Sequence, residues 1–148
     1  MNTSPSSSAH DANAVLGTWN LVAFEVEAQA TGERRPAFPS PSRGRLIVLP
    51  EGIMMALITL APGPLPKTAA DQAAAFNTMI AYSGRYRIEG DQFMTDVDLA
   101  WHAGWVGSLQ LRTYRFVGER LELISAWAPN PAQPEQMGRG ILLWERES

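Results

Sequence analysis

The sequence predicts an all-β domain of about eight short antiparallel strands, arranged as a sandwich or a barrel, with one short helix. Three observations lead there. Apolar residues alternate with period two along nearly the whole chain, turn signals recur at short intervals, and only one stretch carries helical spacing. A length of 148 residues gives room for one core and not for two.

Residues 1–14 (MNTSPSSSAHDANA) are Ser-rich and polar, with no basic and no apolar stretch. They read as a disordered tail rather than a secretory signal, and the domain is expected over 15–148. Residues 18–26 (TWNLVAFEV) form the first strand, with Trp19, Leu21 and Ala23 on one face and Val22, Phe24 and Val26 on the other. Both faces are apolar, so the strand is expected to be covered on each side. Residues 29–43 contain three prolines and two adjacent arginines and read as a long loop able to close over one end of the domain. A hairpin follows, with strands at 45–49 and 53–60 around Pro50-Glu51-Gly52.

The prolines of residues 61–67 exclude strand and helix. Beyond them, Thr68 and Asp71 have the spacing of a capping box, and Ala69, Ala73, Phe76 and Ile80 share one helical face. Strands are then expected at 83–88, 93–100, 107–117, 121–127 and 140–146. The last two flank the Pro-rich loop 128–136. In the strand 107–117, Gln110, Arg112, Tyr114 and Phe116 fall on one face.

Composition excludes several functions. A net charge of -3 without a basic run argues against nucleic acid. The absence of cysteine removes disulfides, zinc–thiolate sites and thiol nucleophiles together. Two histidines, His10 and His102, do not make a standard transition-metal site, and no metal or other cofactor is expected. No phosphate loop, dinucleotide fingerprint or nucleophile elbow is present. No apolar run approaches the roughly 20 residues of a membrane-spanning helix, so a cytoplasmic protein is expected.

Five segments together resemble the bacterial and fungal lipocalin-like domain family. They are LGTWNLVAFE (16–25), PEGIMMALI (50–58), AAAFNTMIAYSGRYRIEGD (73–91), GWVGSLQLRTYRFVGERLEL (104–123) and LLWERE (142–147). The resemblance implies an eight-stranded antiparallel up-and-down lipocalin-like barrel with one short helix, a cup wide enough for one small ligand. It also marks a departure: where such sequences commonly carry a His-His pair in the middle strand, this chain has Thr95-Asp96.

In such a barrel Trp19 is expected to close the base, with Arg146 of the last strand over its ring. Asp96 and Asp98, with His102 nearby, are the candidate acid–base residues, provided that burial raises a carboxylate pKa. Alternatively both aspartates belong to a solvated outer face, matched by Arg85 and Arg87 or by Arg112 and Arg115. Met55, Tyr82, Trp105, Arg112, Tyr114 and Trp127 are the candidate ligand-lining residues, combining aromatic surface, an adaptable thioether and a cation. Arg112 beside Tyr114 suits a carboxylate or phenolate; otherwise it is an exposed partner of an aspartate.

Three functions follow. The first is binding of a small, mostly apolar metabolite in the barrel. The second is a cofactor-free enzyme (isomerase, cyclase, dehydratase or hydrolase) acting on such a molecule, with Asp96, Asp98, His102, Tyr82 and Arg112 as its candidate residues. The third is a subunit role in which tryptophans mark the interface of a homo-oligomer. No nucleic-acid or membrane partner is expected, and fold alone does not choose among the three.

Overall fold

The period-two pattern becomes a ten-stranded antiparallel sheet that closes on itself. The structure is a computed structural model and describes residues 12–130 and 133–148. The tail expected over 1–14 lies outside the described residues as far as residue 11, and Ala12–Val15 form a 3-10 turn.

The strands are β1 (Gly17–Ala28), β2 (Arg34–Pro36), β3 (Ser42–Val48), β4 (Ile53–Leu60), β5 (Ile80–Glu89), β6 (Gln92–Ala100), β7 (Leu109–Val117), β8 (Arg120–Ser125), β9 (Ala128–Asn130) and β10 (Gln133–Arg146). Eight of them pair in the order β1-β3-β4-β5-β6-β7-β8-β10, and β10 pairs back onto β1 to complete an up-and-down barrel. The short strands β2 and β9 lie outside the ring, on the long upper halves of β1 and β10. Residues 29–43 are therefore not all loop: they contain β2 and the start of β3.

Two bulges decide which side chains face inward. In β1 the pairing with β10 shifts between Leu21 and Ala23, leaving Val22 as the extra residue. Below it Trp19 and Leu21 share a face with Trp144; above it Phe24 and Val26 pair with Leu142 and Gly140. The two apolar faces of this strand thus reflect a change of parity rather than cover on both sides. In β6 the pairing jumps from Ser83/Leu99 to Gly84/Val97, so Asp98 is the extra residue. Phe93, Thr95 and Val97 point inward, whereas Leu99, which strict alternation would place beside them, is thrown outward and is 65% exposed. Gly84 permits this bulge, because a Cβ there would lie 1.9 Å from the Asp96 carbonyl oxygen.

The core occupies the lower barrel, where Trp19, Leu46, Met54, Phe93, Leu121 and Trp144 meet. At the base, the Trp19 ring is fully buried and its indole N–H donates to the Val15 carbonyl at 2.9 Å. The Arg146 guanidinium lies 4.2 Å from the centre of that ring, as expected, and donates to the carbonyls of Leu16 (2.7 Å) and Ala14 (2.8 Å). Gly17, at φ +126°, passes under the guanidinium, where a Cβ would come within 2.7 Å of Nη1.

Two substitutions test this frame by urea unfolding. Gly84→Ala is expected to cost about 3 kcal/mol through the forced backbone shift at the bulge. Arg146→Ala removes the ring contact and both carbonyl hydrogen bonds and is expected to cost about 2 kcal/mol.

Candidate ligand site at the barrel mouth

The base is closed by the tight turns β3/β4, β5/β6 and β7/β8 and by the 3-10 turn Ala12–Val15. The longer connections gather at the other end. They are the β1/β2 turn, the β4–β5 connection with helix α1 (Ala69–Asn77), the 3-10 turn Ala103–Trp105 between β6 and β7, and the segment after β8.

Helix α1 begins as its sequence dictates. The Asp71 N–H donates to Thr68 Oγ1 at 3.0 Å, and the Thr68 N–H donates to the Asp71 carboxylate at 3.3 Å. Hydrogen bonds from the backbone and side chain of Thr68, then from the Lys67 backbone, hold the Asp71 carboxyl below its ordinary value. The helix buries none of its residues, and it stops before Ile80, which opens β5 instead of extending the apolar helical face. What holds it is aromatic. Phe76 lies 6.1 Å from Trp101 and 5.7 Å from His102, and the Trp101 indole N–H donates to the Phe76 carbonyl at 3.0 Å.

The row of rings continues inward, from Trp101 to Trp105 at 5.1 Å and from Trp105 to Tyr82 at 5.2 Å. Tyr82 points into the barrel. Burial raises its phenol above the ordinary value, while the positive charge of Arg112 acts in the opposite direction.

Arg112 shares the inner face of β7 with Gln110 and with Tyr114. Its Nη2 donates to Gln110 Oε1 at 3.0 Å. Gln110 Nε2 in turn donates to Ser108 Oγ (2.9 Å), and Ser108 Oγ donates to the Trp105 carbonyl (2.6 Å). A hydrogen-bonded chain therefore ties the guanidinium to the mouth turn and fixes its place. Arg112 is partly buried and, among the described residues, forms no ion pair with an aspartate, unlike the exposed ion-pair partner that was the alternative. That role belongs to Arg87, which meets Asp96 at 3.1 Å, while Arg115 pairs with the buried Glu122.

Above this level, the upper halves of β1 and β10 with β2 and β9 enclose a cleft of about 1210 Å³. Phe24, Val26, Phe38, Ser125, Gly138 and Gly140 line it, with Phe24 and Phe38 edge to face at 5.4 Å. The cleft reaches the strand next to β7 at Ser125. Val26 faces Gly140, the Gly140 N–H donates to Ser125 Oγ at 2.7 Å, and Ser125 is the register partner of Arg112.

The candidate ligand residues are thus divided. Tyr82, Trp105 and Arg112 come together at the mouth, and Tyr114 lies one inward position deeper, buried against the core. Met55 is elsewhere: it sits on the outer face of β4, 49% exposed, and its neighbour Met54 is the one that points inward. Trp127 lies on the outer flank beneath Arg139, whose guanidinium is 4.3 Å from the ring and 2.7 Å from Glu27. Asp96 and Asp98 are both exposed, Asp96 on the outward face of β6 and Asp98 at its bulge. His102 is also exposed, and its Nδ1 accepts the Gly104 N–H at 2.9 Å as the cap of the mouth turn. The three candidate acid–base residues are not brought together on the cleft.

Gln110, Ser125, Phe24, Val26 and Phe38 escaped the sequence-based selection. Alternation had already put Gln110 on the face of Arg112, whereas Phe38 stands in a Pro-rich stretch with no periodicity to mark it. Among the described residues, no group of three or more His, Asp or Glu side chains is placed to hold a metal ion. No helix among them is long and apolar enough to cross a membrane.

The sequence matches the lipocalin-like domain family over residues 16–147. The chain belongs to that family, and its closed eight-stranded barrel is the architecture that the membership implies. No curated protein matches it.

The raised Tyr82 phenol has a consequence with a definite sign. A phenol whose folded pKa exceeds its unfolded value of 10.0 stabilises the fold below that pH, and the contribution is lost as pH rises through the folded value. Tyrosinate absorbance is therefore expected to appear late in an alkaline titration. Tyr82→Phe should remove part of that late phase and flatten the fall of stability above pH 10.

Proposed function

We propose that the protein binds a small, mostly apolar metabolite at the mouth of its barrel. The observation that supports this most directly is the cleft of about 1210 Å³, walled in part by Phe24, Val26 and Phe38 and lined also by Ser125, the register partner of Arg112. A cleft of that size with an apolar wall and a few placed polar groups is the usual form of a small-molecule site. Membership of a barrel family suited to holding small molecules favours the same reading.

Turnover inside the barrel would need a group able to move a proton on the bound molecule. Asp96 and Asp98 are in solvent and His102 caps a turn, so these residues do not support the enzyme alternative. Binding is the reading with the larger body of support.

The test is a titration with N-phenyl-1-naphthylamine, a neutral dye that fluoresces when transferred from water to an apolar site. Saturable binding of one dye per chain is expected. Phe38→Ala, which removes one wall of the cleft, should weaken it by about tenfold, equivalent to about 1.4 kcal/mol. Linear, non-saturating uptake by the wild-type protein, of this dye and of its sulfonated analogue alike, would rule the reading out.

A further inference from the structure

Arg112 and Arg139 are the two arginines of the chain that are not exposed. Arg139 is neutralised by Glu27 at 2.7 Å and covers Trp127. Among the described residues Arg112 makes no comparable pair: its hydrogen bonds there go to Gln110 Oε1 and to the Leu111 carbonyl (2.9 Å), both uncharged. A guanidinium offers five N–H donors, so these two bonds leave donors unspent. Its other polar neighbour, the Tyr82 phenol, is an ordinary neutral group at neutral pH and supplies no counter-charge.

A cation partly withdrawn from water, as Arg112 is in the upper barrel, loses hydration that an anion and further acceptors restore. The chain holds Arg112 there nonetheless, oriented through Gln110 and Ser108 from the mouth turn. We infer that the missing counter-charge comes with the ligand: the bound molecule carries one anionic oxygen group, which pairs with Arg112, on an apolar body that lies in the cleft. This inference rests on the binding reading and adds the chemical class of the ligand. The register supports the placement, since Ser125 lies beside Arg112 on the next strand and also lines the cleft. A planar guanidinium binds a carboxylate or sulfonate with two parallel hydrogen bonds, whereas a neutral ligand would leave the charge unmatched.

Two dyes with the same apolar body separate the possibilities. 1-Anilinonaphthalene-8-sulfonate and N-phenyl-1-naphthylamine differ only in the sulfonate. Wild-type protein is expected to bind the sulfonate at least tenfold more tightly than the neutral dye. In Arg112→Gln that preference should vanish through a loss of sulfonate affinity, with saturable binding of the neutral dye reporting an intact cleft. Arg35→Gln, which removes a cation at the rim of the same cleft, should leave the preference in place. Equal wild-type affinities overturn the inference whether or not the Arg112 variant folds. A preference that survives Arg112→Gln, or disappears in Arg35→Gln, overturns it as well. Saturable binding of the neutral dye without any sulfonate preference removes only the anionic class, whereas failure of both dyes to bind removes the binding reading itself.

Discussion

The pairing of the first barrel strand with the last is the constraint on which everything else depends. Without β1 against β10 the chain would be an open meander with two long exposed edges. The closure is secured where the two strands cross the base. There Trp19 fills the floor, and Arg146, from the far end of the sequence, clasps both its ring and the backbone that leads into it. Contacts between residues so distant in sequence are costly in chain entropy, which is why the packing around them is dense and fully buried. The base serves stability, and the mouth is thereby left free to carry polar and exposed groups.

That division explains the gradient of side chains along β7. Phe116 and Tyr114 lie toward the packed floor, while Arg112 and Gln110 lie toward the opening. The same strand therefore contributes to folding at one end and to recognition at the other. A guanidinium is tolerable in the upper barrel because the neighbouring positions are not packed shut: Ser125 and Gly140 are small, and the cleft begins beside them.

Much of the fold was legible in the sequence, because alternation and turn chemistry are local signals. The eight barrel strands, the capping box at Thr68 and the Trp19–Arg146 contact all follow from residues that declare themselves. What was hidden depended on pairing. The bulge at Asp98 exists because β5 approaches closely at Gly84, a fact about the neighbouring strand, and it sends Leu99 outward against its own periodicity. Met54 and Met55 are adjacent and equally apolar, so only the closed barrel decides which one turns inward. Of the candidate ligand residues, Tyr82 and Arg112 reach the mouth from inner strand faces, as alternation suggests, whereas Trp105 reaches it from the 3-10 turn. Trp127 did not, because Arg139 holds it against the outer flank.

The sheet has ten strands and the ring only eight, so the closed barrel still has two free edges, at β2 and β9. Each is three residues long and contains a proline, Pro36 in one and Pro129 in the other, which lacks the N–H a docking strand would seek. Arg34 and Arg35, each ion-paired to a glutamate, line the same edge with charged side chains that a docking strand would have to desolvate. The extensions that deepen the mouth thus come with built-in protection against strand-by-strand polymerisation. An engineer who lengthened β2 or β9 to reshape the opening would remove that protection, and would need to return a charge or a proline to the new edge.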